Sequence, residues 1–502
     1  FAVRHCFITD EQASTIINDT LPISCETVFI ALIKTHAVNA SLLAQSIAQQ
    51  TQHPLITLPN RVTQLPYQAF SLALLLQYRL IPYQQTKTSF LFACAFPPSS
   101  NLIHQLQFRL GQQIQFGIVD FTQFRDVLTQ LTQLLRQQYL QTYWQVDANQ
   151  TSTMIADFLT QLTTHAVEIR ASDIHCESHT SQAMIRLRVD GLLHPLMQLP
   201  LSIAQQLTAH IKVLARLDIA EQRLPQDGHY QLKLQSAIYD LRVSVCPTSQ
   251  GEKIVTRVLT GLTHPLATTQ LGMTDSQHQQ FQHAIHQPYG LILVTGPTGS
   301  GKTLTLYTAL QHIQHVSKNI VTVEDPIEIQ LPGIHQIQVN TKIDLTFSCC
   351  LRALLRQDPD IIMIGEIRDP QTARIAIQAA QTGHLVFATL HTHSAKSSIK
   401  RLTQMGIPAN HLLDSLLLII NQRLLRKRCL QCQTNDSTHC PACHAGYHGR
   451  CGVFELIPFE HDENTIAKHP GDSLLQAAQR KIDQGITDHT EVTRVIQLGS
   501  TT

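Results

Sequence analysis

Apolar positions change period several times along the chain, and each change marks an element. From Asp10 to Gln50 they recur at helical spacing (Ile16, Ile17; Val28, Ile30, Leu32, Ile33; Leu42, Leu43, Ile47), with Asn39-Ala40-Ser41 as a turn and N-cap. Two β-like runs follow, Ser89 to Phe96 and Gln113 to Val119, separated by Pro97-Pro98-Ser99-Ser100 and a helix from Asn101 to Leu110. An amphipathic helix from Phe121 to Tyr143 closes this first α/β unit, and the polar stretch Val146 to Ser152 reads as a linker.

A second unit runs from Thr153 to about Ala267. It holds a helix (Met154 to Val167), strand-like alternation over Ala183 to Val189, a turn at Asp190-Gly191, a helix from Ile203 to Leu217, and strands at Tyr230 to Leu234 and Tyr239 to Val245. Near Gln270 the pattern becomes short continuous apolar runs: Leu291 to Thr295, Ile320 to Val323, Ile361 to Ile364 and Leu385 to Thr389, with helical stretches between them. Such runs mark strands buried on both faces, which predicts a parallel sheet covered by helices.

Composition narrows the classes. The 502 residues carry 37 Lys+Arg against 36 Asp+Glu, a formal charge of +1, and only 15% are charged, where roughly 25% is usual. That balance argues against a chain held to nucleic acid by counterion release. With 43% hydrophobic residues and no long biased tract, disorder is excluded. No segment approaches the roughly 18 apolar residues needed to cross a bilayer; the runs Phe90 to Phe96 and Leu412 to Ile420 are short or carry Asp414. The expectation is a soluble chain of about three domains, in a reducing compartment where its 12 Cys form no disulfides. The 27 His would make it strongly positive below about pH 6.5, so solubility and assembly should change steeply between about pH 6 and 8.

Chemistry concentrates in the third unit. Gly296-Pro297-Thr298-Gly299-Ser300-Gly301-Lys302-Thr303 is a complete phosphate-binding loop between a strand (Leu291 to Thr295) and a helix (Thr303 to Val316). Its glycines let backbone N–H groups converge on phosphate at a helix N-terminus. Lys302 would reach the β and γ phosphates, and Thr303 would offer Mg²⁺ a hydroxyl. Acids stand after two buried strands. Gly365-Glu366-Ile367-Arg368-Asp369 follows Ile361 to Ile364, where a carboxylate can hold Mg²⁺. Glu324-Asp325-Pro326-Ile327-Glu328 follows Ile320 to Val323, where one acid can orient or deprotonate the attacking water.

These stretches, with Leu354-Leu355-Arg356-Gln357-Asp358-Pro359-Asp360 and Thr382-Gly383-His384-Leu385 through Leu390-His391-Thr392, resemble the Walker A, Asp box, Walker B and His box of the secretion-type traffic ATPases, the GspE/PilB family of type II secretion and type IV pili. The resemblance extends to Ala171-Ser172-Asp173-Ile174-His175, Arg223-Leu224-Pro225-Gln226-Asp227-Gly228, Arg242-Val243-Ser244, Gly251-Glu252-Lys253 and Gly446-Tyr447-His448-Gly449-Arg450. His229, His335 and His393-Ser394 depart from the family wording without removing a group assigned to phosphate chemistry.

The resemblance implies an α/β fold. A RecA-like P-loop NTPase domain at 269–502 would follow an α+β, PAS-like middle domain (N2) at 146–268 and an N-terminal α/β domain of the GspE-N or MshEN kind at 1–145. It further implies that Glu328 activates water, that Glu366 holds Mg²⁺, that His384 and His391 couple the nucleotide site to domain movement, and that Arg242 and Arg257 face the γ-phosphate. The chain would then be a homohexameric, ATP-hydrolysing motor in the cytoplasm, docked at the inner membrane through a platform protein and driving pilin polymerisation. Glu324 to Ile329, Ala379 to His384 and the N-terminal unit lean toward pilus assembly. The rival readings are a type II secretion motor and a nucleotide-responsive scaffold that does not turn over. Cyclic di-GMP binding is not expected, because Phe29 to Leu58 lacks an Arg-Leu-Gly pattern.

Cys429-x₂-Cys432 and Cys440-x₂-Cys443 offer four thiolates suited to a structural, tetrahedral Zn²⁺, on a loop shorter than the usual ribbon. Buried or redox-active thiols are the alternative. The neighbouring Arg423, Arg426, Lys427 and Arg428 read as a solvated helix face, with a partner or acidic lipid left open.

Overall fold

Each stretch with a period near two lies in one of three sheets, and each sheet is built from a contiguous length of chain. The structure is a computed structural model that describes residues 39–59, 62–69, 80–86, 88–98, 100–142, 152–234, 237–259, 266–430, 440, 443–459 and 473–496. The helical periodicity before Asn39 and residues 146–151 of the linker lie outside them, while Ser152, read as the linker's end, opens a helix.

In the first part, α1 (Ala40–Thr51) starts at Asn39, whose side chain accepts the Ser41 and Leu42 N–H groups, as an N-cap does. β1 (Ile81–Gln85), β2 (Ser89–Cys94), α2 (Ser100–Leu110), β3 (Gln113–Ile118) and α3 (Phe121–Thr142) follow. β1 pairs antiparallel with β2, and β2 parallel with β3 through the α2 crossover. Leu43, Phe92, Phe116, Phe124 and Leu131 share one core.

The middle part is α4 (Ser152–Glu168), β4 (Ala171–Ser178), β5 (Gln182–Val189), β6 (Leu192–Pro200), α5 (Leu201–Leu214), β7 (Gln226–Leu234), β8 (Ala237–Thr248) and β9 (Gly251–Leu259). Its six strands run antiparallel in the order β6-β5-β4-β9-β8-β7. Phe158 and Leu162 of α4 and Leu207 and Ile211 of α5 pack on Ile174, Ile185, Val243 and Ile254. Since strand side chains alternate, Asp173, His175 and Glu177 point to the other face. There Asp173 meets Arg257 (3.0 Å) and Arg188 (3.6 Å), while Glu177 meets Arg186 (2.6 Å) and Lys253 (2.9 Å).

The last part comprises α6 (Asp275–Ile285), β10 (Gly290–Thr295), α7 (Lys302–Ile313), β11 (Ile320–Glu324), β12 (His335–Gln338), α8 (Phe347–Leu354), β13 (Ile361–Ile364), α9 (Pro370–Gln381), β14 (Leu385–Leu390), α10 (Ala395–Gln404), α11 (Ala409–Ser415), β15 (Leu416–Arg428), β16 (Tyr447–Pro458), α12 (Leu474–Asp483) and α13 (His489–Val495). The strand order is β12-β11-β13-β14-β10-β15-β16, parallel except for β16. Alternate residues of β10 divide between two cores: Leu291 and Leu293 pack with α8 and α9, Ile292 and Val294 with α6 and α7. This is the doubly covered sheet that the apolar runs predict.

One expectation is overturned here. Arg423, Arg426, Lys427 and Arg428 are not on a helix but end the long strand β15, and Arg423 and Arg426 are each 7% exposed. Strands β10 and β16 flank β15, and its two buried cations are paired internally, while Lys427 is exposed. Arg426 Nε donates to Glu491 Oε2 of α13 (2.9 Å), and Arg423 Nη1 donates to Asn421 Oδ1 (2.9 Å) and the Gln422 carbonyl (3.0 Å).

Among the described residues, the middle and last parts meet near the cysteines and near the phosphate loop. Near the cysteines, the Gly449 N–H donates to Asp190 Oδ2 (2.8 Å), and Arg170 Nη2 lies 2.5 Å from His448 Nε2. Near the phosphate loop, Arg242 Nη2 lies 3.5 Å from the Ile327 carbonyl.

Candidate nucleotide site

The chain leaves the sheet at Thr295 and enters α7 through Gly296, Gly299 and Gly301, all at positive φ. A Cβ on Gly296 would stand 2.6 Å from the Gln422 carbonyl of β15, too close for any side chain. Gln422 also accepts the Thr305 hydroxyl at Oε1 (2.8 Å), so β15 backs the loop. Lys302 is buried and donates to the Gly296 and Pro297 carbonyls (2.9 and 3.0 Å). Burial pushes its pKa down, and Glu366 and Glu328 oppose that shift. Thr303 stands in the first turn of α7.

Glu366 follows β13 by two residues, and its side chain is 15% exposed. Arg368 pairs with it directly, and His391 Nε2 lies 3.3 Å from its other oxygen. Arg368 also faces Asp325 at 3.5 Å. Burial, then the Lys302 charge, lower the His391 pKa against the pull of Glu366.

Glu328 keeps exposed surface, yet its carboxyl is crowded enough by protein to lose solvation. That desolvation raises its pKa and the Glu324 charge adds to the rise, while Arg257, Arg242 and Lys302 oppose it. A carboxylate moved upward in this way is a better proton acceptor. Arg242 and Arg257 are cross-strand partners on β8 and β9. Asp173 holds Arg257 by its Nε (3.0 Å).

The structure therefore brings together the loop, Lys302, Glu328, Glu366, His391, Arg242 and Arg257, but not His384. His384 precedes β14, at the end of the strand opposite the loop, and its Nδ1 faces the Ala379 carbonyl (3.0 Å). His391 is seven positions further along, about 23 Å of extended chain at about 3.3 Å per residue. The two histidines therefore stand at opposite ends of β14, with only His391 beside Glu366.

Sequence reasoning gave no role at this site to Arg423, whose charge is felt by Lys302, nor to Tyr307 or Asp173. Arg423 stood in a segment read as helix; continuing the apolar run Leu416 to Ile420 as a strand would have aimed it at the loop.

Oxygen donors suit Mg²⁺, and Thr303 and Glu366 supply a hydroxyl and a carboxylate beside Lys302. Soft thiolates suit Zn²⁺. The sulfurs of Cys429, Cys440 and Cys443 lie within 4.8 Å of one another, consistent with the separation of about 3.8 Å that tetrahedral Zn–S bonds of about 2.3 Å impose. Cys432 lies outside the described residues.

A mainly parallel sheet with a complete phosphate loop after a central strand defines a P-loop NTPase. The family described as "Type II/IV secretion system protein" matches residues 148–501, and the MshEN domain matches residues 56–138. A Haemophilus influenzae "Protein transport protein HofB homolog" is 42% identical over 434 residues, 84% of this chain and 92% of that protein. The Vibrio cholerae "Type II secretion system ATPase E" is 43% identical over 366 residues, 66% of this chain and 73% of that protein. The solved Legionella pneumophila ATPase DotB has a TM-score of 0.54 at 22% identity, covering 67% of this chain and 95% of that one, a likeness of fold alone. The chain belongs to the type II/IV secretion system protein family, and it is an ATPase of that family. Among the described residues no helix is long and apolar enough to cross a membrane.

Proposed function

We propose that this chain is a homohexameric motor that hydrolyses ATP to drive pilin polymerisation, from the cytoplasmic side of an inner membrane, through a platform protein. In this reading it divides into an N-terminal regulatory or docking domain (1–145), a middle domain (146–268) and an ATPase domain (269–502). The observation that carries the motor reading is that Arg242 and Arg257 of the middle sheet act on Glu328 of the last one, with Arg242 Nη2 at 3.5 Å from the neighbouring Ile327 carbonyl. A change of phosphate state would then be felt across the junction of two sheets, which is what converting hydrolysis into movement requires.

The N–H groups of residues 298–303 cradle the β and γ phosphates and Lys302 neutralises them. Mg²⁺, held by Thr303 and Glu366, would neutralise charge on the same oxygens. Glu328 takes a proton from water as its oxygen attacks the γ-phosphorus, and the bond to the β–γ bridging oxygen breaks to release ADP. Arg242 and Arg257 stabilise the charge that spreads over the γ-oxygens. His391 holds the free side of Glu366. Cys429, Cys440 and Cys443, with Cys432, would hold a structural Zn²⁺.

The test compares ATP turnover of the wild type with Glu328→Gln, Glu366→Gln and Arg242→Ala. Each should fall by roughly 10² to 10⁴, and equal rates in all four would leave the scaffold reading standing. A type II secretion motor is the second reading, because the relatives include the secretion ATPase above. Deleting the gene separates the two: loss of surface pili supports assembly, loss of exported proteins with pili intact supports secretion.

A further inference from the structure

The segment that carries Glu328 is moored to a buried polar cluster with no part in phosphate contact. Tyr307, in the second turn of α7, is fully buried. Its Oη donates to Oε2 of Glu324 and accepts the backbone N–H of Glu328 at 3.2 Å. Glu324 ends β11 and is 2% exposed; its Oε1 accepts the Thr322 hydroxyl (2.6 Å) and Gln336 Nε2 (3.0 Å). Gln336 of β12 in turn donates to the Ile329 carbonyl (3.0 Å) and accepts the Leu331 N–H (2.7 Å). Residues 328, 329 and 331 are thus tied, through two side chains, to one buried carboxylate.

A buried carboxylate is costly unless every lone pair is engaged, and here its partners all serve to place one short segment. We propose that Tyr307 is a positioning residue for Glu328, fixing its backbone against the carboxylate of Glu324 so that the Glu328 side chain meets the attacking water. The proposal rests on the reading of Glu328 as the group that activates water. Burial, first, and the Glu324 bond, second, raise the Tyr307 pKa, so the phenol stays protonated and keeps both bonds. The Glu324 charge also adds to the raised pKa of Glu328, so one carboxylate both anchors the segment and strengthens the base.

Tyr307→Phe keeps the ring and removes only Oη. In the full-length protein we expect kcat to fall roughly 10- to 100-fold, as misplacement of a catalytic group by about 1 Å does. KM for MgATP, the Kd of a fluorescent ATP analogue and the melting temperature should stay close to wild type. Glu324→Gln removes the charge while leaving an acceptor for Tyr307. The charges facing Glu328 are Glu324 from β11, Lys302 from α7, and Arg242 and Arg257 from β8 and β9, and only Glu324 raises its pKa. The acid limb of the pH–rate profile of Glu324→Gln should therefore move to lower pH. Wild-type kcat in Tyr307→Phe overturns the proposal, and so does a kcat loss matched by equal losses of nucleotide affinity and melting temperature. If Tyr307→Phe does not fold, an unmoved acid limb in Glu324→Gln overturns it. Glu328→Gln separates the two levels: wild-type turnover there removes the reading of Glu328 itself, while an inactive Glu328→Gln beside a fully active Tyr307→Phe removes only the role of Tyr307.

Discussion

Gly296 and Gly299 are both glycines at positive φ in one loop, but they are required to different degrees. At Gly296 an added Cβ would meet the Gln422 backbone carbonyl at 2.6 Å, and a central strand cannot give way. At Gly299 nothing lies within 4 Å, so only the backbone conformation (φ 78°) resists substitution, at about 1 to 2 kcal/mol. Gly296→Ala should therefore abolish binding of a fluorescent ATP analogue, while Gly299→Ala should fold and bind more weakly. Equal affinities for the two variants would contradict the geometry. The residue types of this site were legible because the phosphate loop is contiguous in sequence. Tyr307 was not, because its partners Glu324, Glu328 and Gln336 become neighbours only when α7, β11 and β12 are packed.

Among the elements, the buried parallel strands β10, β11, β13 and β14 were read from sequence to within a residue, since short continuous apolar runs between turn residues mark strands covered on both faces. Strands β4, β6 and β9 were missed. β4 reads Asp173, His175, Glu177 on one face, which looks like solvent-facing polarity until Arg186, Arg188, Lys253 and Arg257 from the strands on either side are in place. Burial through ion pairing leaves no hydrophobic signature. The same effect hid the end of β15, whose Arg426 is satisfied by Glu491 from a helix some sixty residues later. The hairpin of β15 and β16 ends at the cysteine cluster, and α13 leans on it through Glu491. Cys443→Ser, or treatment with a strong chelator, should release bound Zn²⁺, read with a chromogenic indicator, and lower the melting temperature. No metal released, with thermal stability unchanged by the chelator, would show the cluster to be thiols alone.

At the scale of the whole molecule, sequence counting treated all 27 His alike, and the fold does not. Burial pushes His165 and His444 down to about 4, and it lowers His175, His194, His312, His391 and His448 as well. His165 and His444 stay neutral through the range in which steep charging was expected and the other five are shifted the same way, so the gain of charge between about pH 8 and 6 is smaller than composition suggests. The sign for stability follows for His165. Its folded pKa, about 4, lies below the ordinary 6.5, so its neutral form favours the fold above about pH 6.5 and that contribution is lost as pH falls toward 4. Denaturation midpoints measured between pH 7 and 4 should decline for the wild type and decline less for His165→Gln.

The contact between Arg242 and the segment that carries Glu328 lies within one polypeptide. A copy that has lost either group has lost one side of a contact made within its own chain. In genetic terms, alleles that alter Arg242 and alleles that alter Glu328 should not rescue one another when expressed together, and each defective copy that enters an assembly subtracts a working site from it.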